Sequence, residues 1–138
     1  MAAIGLETGK AIFNILKSDL TLLALIDGVS KIQPSAIYTL SPKEGVYYDI
    51  LGVDNENTKT SAKAGLTKVT LQIESFMAKY SDAVEVAVRI QHLLDKVAEG
   101  TYNTIKIQSC VLESQTTDFD GENKFYYIES TYRLRIIN

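Results

Sequence analysis

Two different hydrophobic periods meet near the centre of this chain, and together they exclude most folds. From Thr67 to Phe76 apolar and polar residues alternate. Val69, Leu71 and Ile73 face one way, and Lys68, Thr70, Gln72 and Glu74 face the other. A period of two fits a strand with one face on a core. A few residues later Val86, Ile90, Leu93, Leu94 and Val97 recur at helical spacing. Ser81 is expected to cap this helix, which runs from Asp82 to about Glu99 and stops at Gly100. A half-buried strand feeding an amphipathic helix calls for a helical layer packed on a sheet.

The flanks supply the remaining elements. Ile4, Ile12, Ile15 and Leu16 follow helical spacing, with Gly5 and Gly9 weakening the first turns, so the firm helix is expected from about Gly9. Ser18 and Asp19 offer an N-cap to a short second helix carrying Leu22, Leu23 and Ile26. Asp27-Gly28 ends it, with Gly28 suited to a left-handed position. Lys31 to Gly45, with Pro34 and Pro42, reads as extended chain with turns and room for a short strand near Ile37-Tyr38. Val46 to Val53 is a strand by its Tyr and β-branched content.

Gly52 to Gly65 reads GVDNENTKTSAKAG and holds one large apolar residue, Val53. Such a stretch buries too little surface to offset its ordering entropy, so a long flexible loop is expected. Thr104 to Ser114 alternates, with Ile105, Ile107 and Val111 on one face and Cys110 opposite. Phe125 to Ile137 is a long last strand with Tyr126, Ile128, Tyr132, Leu134 and Ile136 on one face. Asp118 to Asn123 is turn-rich, so these two strands form a hairpin with a longish loop. The expected fold is α+β: a mainly antiparallel sheet of about four strands, helices on one face, in the order α-α-β-β-α-β-β. The 138 residues fit a single domain, 1–138.

Composition narrows function by exclusion. Fourteen basic residues face 17 acidic ones, a net charge of −3, and no basic run occurs. That argues against a dedicated nucleic-acid binder, because phosphate contacts dominate such affinities. One cysteine makes no internal disulfide. No signal-peptide pattern opens the sequence and no run of 18 apolar residues spans a membrane, so folding in a cytoplasm is the default expectation.

The search for chemistry returns little. Gly5, Gly9, Lys10 and Ala11 fall one residue short of a phosphate loop, and Ala11 stands where Ser or Thr would hold Mg²⁺. Asp118, Asp120, Gly121 and Glu122 resemble a calcium-loop fragment. The pattern fails at Tyr127, which stands where a Glu ligand is needed, and a hairpin turn is the simpler reading. His92, the single histidine, has no triad or zinc partners in view, and Cys110 has no electropositive setting. No catalytic residue, cofactor or metal ligand is therefore assigned. The tyrosines offer more. The adjacent pairs Tyr47-Tyr48 and Tyr126-Tyr127 must split between sheet faces, which is either ordinary strand composition or a sign of an interface. Arg133 and Arg135 share a face with Glu129 and Thr131, which is either a solvated surface or a partner contact.

The order of elements also resembles a known family. The stretches "AIFNILKSDLTLLALIDG", "VYYDILGVDN", "KVTLQIESFMAKYSDAVEVAVRIQHLLD" and "IKIQSCVLESQTTDFDGENKFYYIESTYRLRI" are similar to the tail-completion proteins of long-tailed bacteriophages, with the lambda-type tail terminators as fold relatives. The family often carries Pro before its first long strand, where this chain has Gly45. The resemblance implies a structural virion protein, not an enzyme, made in the host bacterial cytoplasm. It implies a ring, usually of six copies, that caps the tail tube and joins it to the head connector or neck protein. Its implied partners are thus copies of itself, the major tail tube protein and the connector, with no specific nucleic acid and no membrane. The alternatives are another neck component, such as a head-completion adaptor or a tail-tube-like protein, and an unrelated small enzyme or ligand-binding module. Ring closure needs head-to-tail contacts. The polar loop and the charged strand regions supply the candidate assembly contacts: Asp54, Glu56, Lys59, Lys63, Asp118, Asp120, Arg133 and Arg135.

Overall fold

A computed structural model of the chain describes residues 4–34, 44–56, 66–95, 100–102, 105–122 and 124–137. In chain order these form helix α1 (Ile4–Lys17), helix α2 (Leu20–Ile26), a 3-10 turn (Val29–Lys31), strands β1 (Ile32–Pro34), β2 (Gly45–Glu56) and β3 (Leu66–Met77), helix α3 (Tyr80–Leu94), and strands β4 (Gly100–Tyr102), β5 (Ile105–Asp120) and β6 (Phe125–Ile137). The strands make one curled, mixed six-stranded sheet in the order β1-β2-β3-β6-β5-β4.

The expected sheet of about four mainly antiparallel strands in the order α-α-β-β-α-β-β is thereby corrected. β1 lies parallel to β2, with Ile32 opposite Val46, and β4 lies antiparallel to β5, with Tyr102 opposite Ile105. Both are edge strands three residues long. Three residues cannot display an alternating pattern, so periodicity alone does not reveal them. The short strand expected near Ile37-Tyr38 falls outside the described residues.

The core forms between the sheet and the helices. Val69, Leu71 and Ile73 of β3, and Ile128, Tyr132, Leu134 and Ile136 of β6, are buried against Ala11, Ile12 and Leu16 of α1 and Val86, Ile90 and Leu94 of α3. Each such aliphatic side chain contributes about 1.5–3 kcal/mol by leaving water. The alternation predicted for β3 and β6 is the alternation found.

Several boundaries differ from expectation. α1 starts at Ile4, ahead of Gly9. Its glycines serve close packing: a Cβ on Gly5 would lie 3.3 Å from Val53 Cγ2 of β2. Asp19 caps α2 as expected, accepting the Leu22 N–H at 2.8 Å. The left-handed position after α2 is taken by Asp27 (φ 66°), one residue before the expected Gly28. α3 begins at Tyr80 with Lys79 as its N-cap, and no side chain caps it; Ser81 lies inside the helix. α3 ends at Leu94, where Asp95 turns to extended backbone.

The stretch from Gly52 splits. Gly52 to Glu56 continues β2, pairing with Thr70 to Leu66, and 57–65 lie outside the described residues. Backbone pairing, which hydropathy does not register, extends the strand. β5 likewise runs on to Asp120, with Asp120 opposite Phe125, so the expected longish loop reduces to a tight turn. At Gly45 the backbone adopts φ 151°, and a Cβ there would lie 2.5 Å from the Lys31 carbonyl oxygen. Glycine is what allows the two chain segments to meet where β1 joins β2.

Candidate assembly surface

The helices cover one face of the sheet, and the other face is polar with aromatic patches. Two register shifts in β5 decide what this outer face displays. They fall between Ile107 and Ser109 and between Leu112 and Ser114. An extra residue in a strand moves every following side chain to the opposite face. Cys110 is therefore buried in the core, and Val111, expected there, is exposed on the outside. Burial pushes the Cys110 thiol up to about 12, with the Asp95 charge adding to it, so the group is inert as a nucleophile.

Along β3 and β6 the outer face is built rung by rung. Lys68 lies opposite Arg135, Thr70 opposite Arg133, Gln72 opposite Thr131, Glu74 opposite Glu129 and Phe76 opposite Tyr127. One end of the face is basic and the other acidic. Burial, then the charges of Glu129 and Asp49, hold the Glu74 carboxyl above its ordinary range. Like charges placed directly opposite across strands destabilise a sheet. At the acidic end Tyr47, Phe76 and Tyr127 pack in sequence, Tyr47 edge-on to Phe76 at 5.5 Å between centroids and Phe76 tilted on Tyr127 at 5.0 Å. Their neighbours Tyr48 and Tyr126 face the helices: Tyr48 packs near Phe13, and Tyr126 lies 5.8 Å from Tyr80 and 4.7 Å from Phe119. Each adjacent tyrosine pair is thus split between faces, as the pleat requires.

At the basic end a shallow hollow of about 270 Å³ opens on the outer face, lined by Gln108, Ser109, Val111, Arg133 and Arg135. The first register shift of β5 falls beside it, with Ser109 opposite Arg135. Arg133 pairs with Glu113 at 3.4 Å, and Arg135 is exposed. The hollow falls below the ~300–1,000 Å³ of sites that enclose a small molecule. It suits one or two side chains of another protein surface.

From Leu112 outward, β5 is the open edge of the sheet. With β6, which stays paired to β3 as far as Tyr126, it forms an edge arm of which only the turn after Asp120 extends beyond β3. The Asp95 carboxylate accepts the Leu112 N–H at 3.0 Å and so satisfies the sheet edge where β4 has ended. Glu113 through Phe119 are all exposed. The turn is organised by Asp120, whose carboxylate accepts the Glu122 N–H at 3.1 Å and whose carbonyl accepts the Lys124 N–H at 2.7 Å. Lys124 takes a positive φ of 60° there. Tyr127 donates its hydroxyl to Asp118 at 3.2 Å. The arm tip carries Asp118, Asp120 and Glu122 against one base, Lys124, with Phe119 half-exposed on the opposite, helix-side face.

The residues singled out in the sequence therefore divide. Asp118 and Asp120 stand together on the arm, and Arg133 and Arg135 stand together at the hollow. Asp54 is exposed on β2 opposite Lys68, which in turn lies opposite Arg135, so it shares the outer-face rung of the basic end and is remote from the acidic tip. Glu56 ends β2, and Lys59 and Lys63 fall outside the described residues. Val111, Ser109, Glu113 and Phe119 were missed. An uneven spacing of apolar residues after Ile107 was the one available sign of the register shifts, and it reads equally as a strand end. His92 is exposed on α3, and Glu129 and Thr131 share the outer face with the arginines, as the strand period predicted.

No family model matches the sequence, and no curated protein matches it. Among solved structures, the fold is similar to that of a chain described as "Virion of native gene transfer agent (GTA) particle". The TM-score is 0.70 at 15% identity, over 100% of both chains. At that identity the likeness is one of fold.

Proposed function

We propose that this chain is a structural virion protein of the tail-completion type, which assembles as a ring at the end of a tail tube and joins the tail to the head. The observation that carries this reading is the full-length likeness to a chain of a virion particle, at a TM-score of 0.70 with neither chain left over. The sequence resemblance to tail-completion proteins leads to the same class independently. The surface is of the matching kind. It offers a charged sheet face, an open sheet edge ending in an acidic turn, and a shallow hollow suited to side chains of another protein.

A tail tube is a stack of rings, so its last ring exposes an unsatisfied face. A protein that ends the stack must meet that face on one side and the head on the other, which a ring of small two-layer domains can do. Six copies is the expected number, with the major tube protein and the head connector as neighbours. The second reading is another neck component or a tube-like protein of the same fold. Deleting the coding sequence and imaging the particles tests the proposal. Tubes of uncontrolled length, or finished tails without heads, are the expected outcome. Normal, joined particles would contradict it.

A further inference from the structure

Resting on the ring reading above, we propose that copies of this chain meet head to tail by placing the acidic tip of the β5–β6 arm of one copy in the basic hollow on the outer sheet face of the next. Arm and hollow are different patches of one chain, so their contact is heterologous and can close a ring. The two patches match in charge. The tip carries Asp118, Asp120 and Glu122, and the hollow presents the exposed Arg135 together with Arg133, whose guanidinium also contacts Glu113 of its own chain at 3.4 Å. Arginine suits this role because its planar fork takes carboxylates in pairs.

Val111, 40% exposed, adds an apolar wall to the hollow, whereas Phe119 packs on Tyr126 on the helix side of the sheet, away from the contact. An exposed apolar residue set among charges fits the pattern of an interface core with a polar rim. The geometry also keeps the contact between molecules. Val111 and Phe119 lie eight residues apart on one strand, about 26 Å at ~3.3 Å per residue, so the arm cannot fold back into its own hollow. Glu113 through Phe119 lie on the open edge of the sheet, and the turn after Asp120 stands past the end of β3, so the acidic tip is accessible to a neighbour.

Charge reversal with mutual rescue tests the contact. One variant carries Arg133→Glu and Arg135→Glu, and the other Asp118→Lys and Glu122→Lys. Both sets lie on exposed or half-exposed strand and turn positions, and circular dichroism checks that each variant is folded. Sedimentation of the full chain at low salt is expected to show self-association that weakens as salt rises. Each variant alone should associate at least about tenfold more weakly. An equimolar mixture of the two should recover association, because every arm then meets a hollow of opposite sign. Unchanged association in either folded variant, failure of the mixture to recover, or a wild-type chain that stays monomeric would overturn the arm-in-hollow contact. The ring reading is scored separately on tube ends. Charge variants retained there as a ring would remove the contact and leave the ring, and absence of the wild-type protein from tube ends would remove the ring itself.

Discussion

Glu74 is the residue whose chemistry most plainly runs against the stability of the isolated domain. Its carboxyl is held high by burial and by Glu129 and Asp49. A raised carboxyl binds its proton more tightly in the folded chain than in the unfolded one. Ionising it therefore costs stability as pH rises through the folded value, and the cost is absent below the unfolded value. Glu74→Gln should raise stability at pH 7 by about 0.5 kcal/mol, the scale of a cross-strand pair. It should change little at pH 3, and thermal unfolding at the two pH values checks this. Asp19 has the opposite sign. The hydrogen bonds from Arg89 hold its carboxyl low, and the Leu22 N–H adds to the effect. Its contribution is present above the unfolded value and is lost as pH falls through the folded one. Which residues face outward was readable from the strand period for Arg133, Arg135, Lys68 and Glu74. It was not readable for Cys110 and Val111, because a bulge changes phase without changing composition.

At the scale of elements, short polar contacts hold the helical layer in place. Asp19 caps α2 and also takes a two-pronged bond from Arg89 of α3, at 2.8 and 2.6 Å. Asp19→Ala removes a cap worth about 1 kcal/mol and takes the carboxylate from Arg89. A loss of about 1 kcal/mol is expected from the cap, with Asp19→Asn losing less because it keeps the cap. Urea unfolding measures both. Gly45→Ala should cost about 2–3 kcal/mol, since the new Cβ would drive into the Lys31 carbonyl and the backbone angle is strained for any other residue. A variant as stable as the parent would show that β1 and β2 meet differently. β3 and β6 were legible because burial on one face writes a period of two into their side chains. The outer half of β5 was not, since the arm is exposed around Glu113 to Phe119 and has no buried face to mark. β1 and β4 were too short to leave a pattern.

For the whole molecule, the layer arrangement followed from the meeting of two hydrophobic periods, whereas the strand count and the parallel edge came only from the structure. Net charge and composition said nothing of an assembly surface, because the surface arises from where charges fall. Arg133 and Arg135 gather at one end of the outer face, Glu74 and Glu129 at the other, and the acidic β5–β6 turn stands just past it. The central proposal is that this domain is a building block of a virion that ends a protein tube. Cryo-electron microscopy of particles carrying a tagged copy of the chain tests it most directly. The account predicts density for the tagged chain at a single level, as one ring between tube and head. Density repeating along the tube, or none on the particle, would contradict it.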